Sequence, residues 1–522
     1  MDAPSEPDRA VEHEVVVLGG GPAGCAAATL LAQRSHQVAL VRPATPPAGA
    51  LAQSIPPSAR KLLAELDAVE VVERAGFLAN GGNTVWWAGG DARTERFPDG
   101  EAGVHVDRAG LERVLVEAAR RVGVRVYDGA TARRAERGGG LWTVGCERAA
   151  HPPLTLRAPW VVDATGRHGF LARQGREPDR ATATLALVRR WRRPGGWGPA
   201  DATHTLVESY EDGWAWSVPL APDVRCFTAM IDARAPGGAF DPDEMLHAEL
   251  SKSSHLGAMV RGARPVGGAW ACPASLYHAA AYARDGLLLA GDAASFIDPL
   301  SSYGVKKALS SGWLAGVVAH TALVDPGMAD TALEFFDGRE REVYRSYRAA
   351  SAGYFEEAAG VYGHAYWETR AAAARAAAAR GAGDQTAAGD PDAVSPPEPA
   401  EHVVRAAFEA IRDRRTLDAG PGPSLRPVER PAVEGSRIVL ATHLASERYP
   451  HGLRYVRGVS LERLVAEAPR HAEVPDVWTA YNAVAPPVAL PDFLVALSTA
   501  FAAGLLVHRE RSPGESLPPV PG

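Results

Sequence analysis

The sequence predicts an α/β fold in which an antiparallel sheet is inserted into a mostly parallel one, with a mostly helical module at the C-terminus. Three observations lead to this class. Residues 14–43 run from an apolar stretch through a glycine-rich turn and a small-residue helix into a second apolar stretch, the order of a βαβ unit. Residues 181–271 alternate apolar and polar side chains as strands do. Residues 401–522 combine short helical patterns with a hairpin-like pair.

The length of 522 residues is too great for one compact core, so we expect several domains. We predict a main domain in two parts, 11–180 and 272–380, the second of which carries helices. A sheet domain that covers the substrate, 181–271, lies between them. A linker, 381–400, and a C-terminal module, 401–522, follow. Gly, Asp and Pro dominate the linker and do not pack a core. A hairpin pairing SRIVLATHLASE with GLRYVRGV would make the module winged-helix-like.

Composition excludes several classes of function. The net charge of −7 is mild and the charges are interspersed, so we expect neither nucleic acid nor an anionic membrane as a partner. Residues 1–14 lack the pattern of a signal peptide, which predicts a cytoplasmic protein. The apolar run 493–507 is too short to span a membrane and indicates a buried helix. Four cysteines without CxxC spacing favour flavin or nicotinamide chemistry over a metal site.

The first turn carries the GxGxxG spacing of a dinucleotide site. Gly19 would allow the tight turn, Gly21 the close approach of a pyrophosphate, and Gly24 the packing of helix on sheet. The phosphates would lie at the helix start formed by Pro22 and Ala23. A plain glycine turn is the alternative, but the position of the motif between a predicted strand and a predicted helix favours a dinucleotide site.

Arg42 stands at the end of the second apolar stretch, where such sites usually carry Glu or Asp for the adenosine ribose. An arginine there is compatible with the 2′-phosphate of NADP. We favour instead a site whose ribose recognition has changed, with Arg42 still part of the cofactor pocket.

A second glycine turn lies within 285–323 and favours FAD over NAD. Asp292, after Gly291, can accept hydrogen bonds from a ribityl chain, which NAD lacks. Pro299 and Gly304 precede a helix predicted to begin near Val305, whose amides would face the flavin. Taken alone, the same turn could be an ordinary aspartate cap.

The glycine turn, the DATG strand end at 163–166 and the segment GDAASFIDPLSSYG occur in an order that resembles group A flavin monooxygenases, flavin-dependent halogenases and geranylgeranyl-reductase-like enzymes. The resemblance covers about residues 12–350. It implies a Rossmann-type FAD-binding domain of the p-hydroxybenzoate-hydroxylase type. It also implies that Arg108 contacts the flavin and that Asp292 binds the ribityl chain.

Trp214 and Trp216 lie two positions apart on a predicted strand, so both side chains point to one face. Their segment WAWSVP resembles the WxWxIP signature of the halogenases, which implies a wall between flavin and substrate. We expect Trp86 and Trp87 to complete an indole-lined tunnel that excludes water. The alternative is an ordinary core strand.

Both residues typical of halogenation are replaced. Asn80 falls where the halogenases carry a lysine, and no lysine lies between Lys61 and Lys252. Ser301, followed by Ser302, replaces the glutamate of the PLES segment found in tryptophan halogenases. The predicted enzyme is therefore an FAD-dependent monooxygenase that hydroxylates an aromatic substrate through a C4a-hydroperoxyflavin.

We take the two WAWSVP tryptophans, Asn80, Ser301 and Ser302 as candidate catalytic residues. Four segments together, SIPPSARKLL, GNTVWW, WAWSVP and DPLSSYGVKKALSSGWLA, resemble the tryptophylquinone-biogenesis monooxygenases. This resemblance implies a tryptophan side chain in a peptide or protein as substrate. A small aromatic molecule is the alternative. A halogenase, a reductase of the geranylgeranyl type and a non-enzymatic assembly factor remain open. The reductant is NAD(P)H or a separate flavin reductase.

Five further side chains have two interpretations each. His105, His278 and Asp298 are either acid–base groups or structural residues. Lys306 and Lys307, at a helix start where cations are unfavourable, either serve the flavin, a phosphate or a substrate carboxylate, or are solvated. The C-terminal module is either a docking site for a protein substrate or a structural cap.

Overall fold

The computed structural model describes residues 10–44, 51–98, 101–149, 151–179, 182–198, 202–234, 240–381, 399, 401–484 and 486–509. Two compact units make up the chain, residues 1–380 and residues 381–522. Most of the predicted linker 381–400 lies outside the described residues.

The first unit combines parallel and antiparallel sheets with helices. Its strands are β1 Val11–Glu12, β2 Val15–Leu18, β3 Val38–Arg42, β4 Ala52–Ile55, β5 Leu78–Asn80, β6 Gly82–Trp86, β7 Arg93–Arg96, β8 Gly103–Asp107, β9 Arg125–Asp128, β10 Ala130–Gly138, β11 Leu141–Arg148, β12 Leu154–Ala158, β13 Trp160–Asp163, β14 Arg176–Pro178, β15 Thr184–Arg192, β16 His204–Tyr210, β17 Gly213–Ala221, β18 Val224–Asp232, β19 Arg264–Pro273, β20 Tyr277–Ala279, β21 Ala283–Arg284, β22 Leu287–Leu289 and β23 Ser295–Phe296. Its helices are α1 Pro22–Gln33, α2 Arg60–Glu65, α3 Val69–Arg74, α4 Arg108–Arg121, α5 Pro242–Lys252, α6 His255–Val260, α7 Gly304–Val324, α8 Ala329–Tyr362 and α9 Ala365–Gly381.

The nucleotide-type sheet has the order β21-β22-β13-β2-β3-β9, with parallel pairing from β22 to β9 and β21 antiparallel at one edge. Strand β2 is buried at every position, as expected for a parallel strand covered on both faces. Helix α1 packs between this sheet and the helices α7 and α4. The βαβ unit predicted over 14–43 is confirmed as β2-α1-β3.

The antiparallel layer has the order β19-β15-β18-β17-β16-β6-β7. Strands β15 to β19 come from the region predicted as a sheet, whereas β6 and β7 come from residues 82–96 and extend it beyond the prediction. Strand β6 pairs with β16 in parallel, Val85 opposite Val207. A short strand whose partner lies 122 residues further along the chain has no local alternation signal strong enough to show this pairing.

The two faces of this layer are buried in different ways. One face, with Trp214 and Met230, packs against side chains of α8 and α9. The opposite face, with Phe227, is covered by side chains of α5 and α6, which include Leu250 and Leu256. The helix predicted over 241–254 is present as α5.

The second unit has its own core. It contains β24 Ala419–Pro421, β25 Arg426–Glu434, β26 Arg437–Ala445, β27 Tyr455–Val456, β28 Val459–Ser460 and β29 Leu506–His508, with helices α10 Glu401–Arg412, α11 Leu461–Glu467, α12 Val474–Asn482 and α13 Leu490–Ala502. Two details of the prediction need correction. Strand β26 pairs along its length with β25, whereas GLRYVRGV meets it at an isolated antiparallel bridge between Leu444 and Leu453. The buried helix predicted over 493–507 is present as α13, but it ends at Ala502 and β29 follows. Pro427 and Pro431 made β25 a poor strand by sequence, but in a two-stranded hairpin the outer edge needs no donors.

None of the helices in the described ranges is long and apolar enough to cross a membrane.

Candidate active site

The turn after β2 leaves no room for side chains on its inner side. Gly19 has φ +106°, and a Cβ there would lie 2.2 Å from the carbonyl oxygen of Ala164. A Cβ on Gly24 would lie 1.8 Å from the carbonyl oxygen of Gly19. At Gly21, by contrast, the nearest atom would be a Glu112 carboxylate oxygen at 3.7 Å. The turn is therefore closed toward the protein and open on the side of Gly21, which lines a cavity.

This open side carries hydrogen-bond donors. Helix α1 begins at Pro22 with no acidic residue in its first turn and no side-chain cap, so its first amides are available to an anion. Arg108, the first residue of α4, lies beside the turn: its Nη2 is 4.0 Å from a Cβ built on Gly21 and 3.5 Å from one on Gly166. Its Nε donates to Glu112 at 3.0 Å, which fixes the guanidinium in place.

Arg42 packs across the same turn from the end of β3. A Cβ on Gly20 would lie 2.8 Å from Arg42 Cδ, and the guanidinium is 3.6 Å from Asp128. The residue is largely buried at the rim of the turn and is not among the residues that line the cavity.

The end of β13 closes over the first turn through Asp163. This fully buried carboxylate accepts from the hydroxyl and amide of Thr165, at 2.6 and 3.1 Å. It also accepts from the amides of Leu171 and Ala172, at 2.6 and 3.1 Å. The DATG segment is therefore a rigid turn whose Ala164 and Gly166 line the cavity.

The second glycine turn brings Asp292 to the cavity. Gly291 has φ +62°, which favours glycine, and its amide donates to the Ser311 hydroxyl at 2.9 Å. The carbonyl oxygen of Asp292 accepts from the Tyr277 hydroxyl at 2.6 Å and from Arg176 at 3.0 Å. With its main chain held in this way, Asp292 presents its side chain where it lines the cavity.

Lys306 and Lys307 are not solvated. Lys307 is 2% exposed, and its ammonium donates to the carbonyl oxygens of Gly291 and Ser295. Lys306 is 6% exposed, with Nζ 5.3 Å from the centre of the Tyr303 ring. Neither lysine is among the residues that line the cavity, and burial lowers the pKa of Lys307.

Helix α7 begins at Gly304, one residue before the predicted start at Val305, and both residues line the cavity. A short 3₁₀ helix, Pro299–Ser301, precedes it and also reaches the cavity through Pro299. Ser302 follows at φ +53°, a left-handed conformation unusual for serine, and lines the cavity. The side chain of Ser301 lies outside the described part of the structure.

One continuous cavity joins these turns to the antiparallel layer. Its far wall is formed by residues on strands β15 to β19: Ala186, Thr205, Val207, Trp214, Trp216, Val218, Met230 and Cys272. The wall is mostly apolar and faces the two glycine turns, which is the arrangement of a cofactor site joined to a substrate pocket.

Trp214 and Trp216 share the cavity face of β17, with ring centroids 5.1 Å apart and planes inclined by 29°. The predicted tunnel of four tryptophans is wrong. Trp87 packs behind the wall, 6.3 Å from Trp214, and Trp86 stacks on His255 on the opposite face of the sheet. Consecutive residues near a strand end point to opposite sides, so Trp86 and Trp87 do not line one surface.

Asn80 ends strand β5 away from the cavity lining. It is 2% exposed, and its Oδ1 accepts from the amide of Gly82 at 3.1 Å, which stabilises the turn between β5 and β6. Among the described residues that line the cavity, the cationic side chains are Arg108 and Arg167, and no lysine is present. Arg167 lies over the Phe296 ring at 4.4 Å.

Of the three predicted acid–base candidates, Asp298 lines the cavity and the two histidines do not. Asp298 lines the cavity, accepts from the Leu300 amide at 3.0 Å, and has its pKa raised to about 6 by burial. His105 lies behind the lining and is 1% exposed, with its pKa lowered to about 4 by burial. His278 lies outside the cavity, 5.0 Å from the Tyr344 ring.

The sequence profile of the FAD binding domain matches residues 12–312, more than half of the chain. The chain belongs to this family. The prediction of FAD as cofactor is confirmed, and with it, at the level of enzyme class, that of an FAD-dependent oxidoreductase.

Individual relatives agree with the predicted halogenase-like group. The tryptophan 2-halogenase of Chondromyces crocatus is 28% identical over 342 residues, which cover 62% of this chain and 64% of that protein. The crystal structure of CmlS, a flavin-dependent halogenase, aligns with a TM-score of 0.73 at 20% identity over 95% of this chain and 96% of that one. The peptidyl tryptophan dihydroxylase QhpG, described as essential for tryptophylquinone cofactor biogenesis, aligns with a TM-score of 0.64 at 22% identity over 95% of this chain and all of that one.

The residues of the two turns fit FAD. The bare backbone at Gly21, the first amides of α1 and the Arg108 guanidinium suit a pyrophosphate, because all are positive or uncharged and face the cavity. Asp292 suits a ribityl chain, and the start of α7 at Gly304 offers amides to the flavin ring. These positions stay predictions at the level of single residues.

Sequence reasoning missed several cavity residues. Thr205 and Met230 sit on strands whose alternation was recognised, but which strand face meets the cavity depends on sheet order. Ser54 lies in the segment SIPPSARKLL, where no local pattern indicated a role for it. Arg167 follows DATG directly, so its closeness to that motif was the available signal.

Proposed function

We propose that the protein is an FAD-dependent monooxygenase that hydroxylates an aromatic substrate. The observation that supports this most strongly is one cavity that joins the two glycine turns to the Trp214 and Trp216 wall, with no lysine among the described residues of its lining. A lysine amine is the group that the halogenase resemblance requires, and an amide such as Asn80 could not replace it.

FAD, once bound and reduced, supplies the activation of dioxygen. The chain itself binds and orients the substrate and excludes water from it. The stacked indoles of Trp214 and Trp216 offer a flat apolar surface to an aromatic ring. Val218 and Met230 extend the apolar wall and limit the access of water.

The finer proposal is that the substrate is a tryptophan side chain in a peptide or protein. The name of the structural neighbour QhpG, a peptidyl tryptophan dihydroxylase, motivates this choice. An indole would stack on the two tryptophans as other aromatic pairs do. A free small aromatic molecule is the alternative, and the C-terminal unit would then need no docking role.

Oxygen-18 labelling tests the proposal. FAD-loaded protein is reduced by NAD(P)H or by a flavin reductase and exposed to labelled dioxygen with tryptophan-containing peptides or with small indoles and phenols. We expect product that carries one labelled oxygen atom per hydroxylation. Incorporation of oxygen from water, or turnover without dioxygen, would contradict a monooxygenase. Bleaching of the flavin by NAD(P)H alone would identify the direct reductant.

Halogenation is the second candidate, because the tryptophan 2-halogenase is among the similar relatives. The same reaction mixtures with added bromide or chloride decide between the two. Hydroxylated product that is unaffected by halide supports the first proposal. Brominated or chlorinated product would show that a group other than a cavity lysine captures the oxidised halide.

A further inference from the structure

A chain of hydrogen bonds leads from the cavity into the protein interior. Thr205 on β16 and Ser54 on β4 both line the cavity, and their hydroxyl oxygens are 2.5 Å apart. Ser54 Oγ is also 2.9 Å from Nδ1 of His105, its cross-strand neighbour on β8. Nε2 of His105 is 2.9 Å from the carbonyl oxygen of Thr203.

Thr205 lies on the same face of the sheet as the tryptophan wall. Side chains two positions apart share a face, so Thr205 and Val207 point the same way. Val207 pairs directly with Trp216 across β16 and β17. The hydroxyl chain therefore ends beside the surface on which an aromatic substrate would stack.

The direction of every hydrogen bond in the chain follows from its inner end. A carbonyl oxygen only accepts, so Nε2–H of a neutral His105 donates to Thr203. The bare Nδ1 must then accept the proton of Ser54. The oxygen of Ser54, its own proton already used, accepts the proton of Thr205. The Thr205 oxygen retains lone pairs and has no proton left to donate into the cavity.

This order of donors and acceptors requires a neutral His105. The imidazole is 1% exposed, and burial lowers its pKa to about 4. The guanidinium of Arg225, fully buried nearby, disfavours a second positive charge. Arg225 is held by the hydroxyl and carbonyl of Ser217 and by the carbonyl of His204, at 2.8 to 2.9 Å.

We propose that the Thr205 hydroxyl oxygen acts as a hydrogen-bond acceptor of fixed polarity in the cavity and binds an N–H or O–H group of the ligand. Two sources have this chemistry: the indole N–H or phenol O–H of the substrate, and a ring N–H of FAD. The substrate source rests on the proposed function. With the substrate as the donor, Thr205 is a specificity residue, because an aromatic ring without an N–H or O–H would offer no donor to the lone pairs of this buried oxygen.

The variant Thr205→Val removes the acceptor and keeps the branched shape, while Thr205→Ser keeps the hydroxyl as the matched control. Binding of indole and of 1-methylindole to FAD-loaded protein is measured by calorimetry, and binding of FAD to the apoprotein by titration. If the substrate is the donor, Thr205→Val weakens indole binding about tenfold and leaves 1-methylindole unchanged. If FAD is the donor, the same variant weakens FAD binding about tenfold instead. Thr205→Ser stays near wild type in both cases.

The proposal is overturned if Thr205→Val changes neither FAD binding nor the ratio of indole to 1-methylindole affinity. Because these are binding measurements, they can succeed even if labelled oxygen never enters a product, so the two proposals fail separately. The polarity itself is tested by ¹⁵N NMR of histidine-labelled protein, with His105→Asn to assign the signal. We expect the neutral Nε2–H tautomer at neutral pH, and an Nδ1–H or doubly protonated ring would refute the chain.

Discussion

At the scale of single residues, Lys307 shows how burial changes the meaning of a charge. A cation in the first turn of a helix opposes the helix dipole, which suggested a ligand-binding role. In the structure its ammonium instead turns back to the carbonyl oxygens of Gly291 and Ser295, behind the turn that carries Asp292. The nearby buried carboxylate of Glu340 interacts with it electrostatically. Lys307 therefore holds the shape of the turn that carries Asp292 and does not line the cavity.

Replacing this ammonium should destabilise the protein and the cofactor site together. Lys307→Met removes the ammonium from the carbonyls of Gly291 and Ser295 and its positive charge from the buried Glu340, so we expect the free energy of unfolding of the apoprotein to fall by about 3 kcal/mol. FAD binding should weaken as well. Urea denaturation and FAD titration measure the two effects. Lys61→Met, on the exposed side of α2, is the control and should change neither.

At the scale of secondary-structure elements, the cofactor site depends on backbones that touch. A Cβ at Gly312 of α7 would lie 2.0 Å from the carbonyl oxygen of Ala23, and one at Gly24 would lie 1.8 Å from that of Gly19. Helices α1 and α7 are therefore in contact through glycine, and the β2–α1 turn is pressed against α1. This close packing brings the starts of both helices to one cavity.

Adding one methyl group at Gly24 should push α1 away from the β2–α1 turn. For Gly24→Ala we expect a loss of more than about 2 kcal/mol in stability, since the obstacle is backbone that cannot move aside, and purification without bound flavin. Gly338→Ala is the matched control, in α8 with no atom within 4 Å of its Cβ, and should gain up to about 1 kcal/mol. Thermal unfolding and flavin absorbance report both. A yellow, fully stable Gly24→Ala protein would contradict this account of the turn.

At the scale of the whole molecule, the described lining of the cavity belongs to the first unit. The described residues that line it lie between Gly21 and Ala308. The second unit has its own buried core, with Leu464, Phe493 and Leu497 at its centre. Binding of FAD should therefore not require residues of the second unit.

A chain that ends at Gly381 tests this separation. Because the first unit supplies all the described residues of the cavity lining, we expect the shortened protein to bind FAD within about twofold of the full-length affinity. If the second unit docks a protein substrate, the shortened protein should lose turnover of peptides and keep that of small aromatics. Failure to bind FAD, despite a folded far-UV circular dichroism spectrum, would disprove the separation.

Local sequence patterns were enough to predict the two glycine turns. The βαβ unit around Gly19 and Gly24 and the turn at Asp292 each carry their pattern within one contiguous stretch of sequence, so their sequences predict them directly. The pairing of β6 with β16 and that of β25 with β26 were not predicted, because strand pairing depends on partners that local alternation does not identify.

The sequence by itself determined the FAD-binding class, the two glycine turns and the shared face of Trp214 and Trp216, since each rests on short-range geometry. Only the tertiary structure decided that Trp86 and Trp87 leave the cavity wall, that Lys307 is buried, and that Thr205 meets Ser54 and His105. These outcomes depend on which face of one element meets another far along the chain. That choice is made by the packing of the whole unit, and no local spacing encodes it.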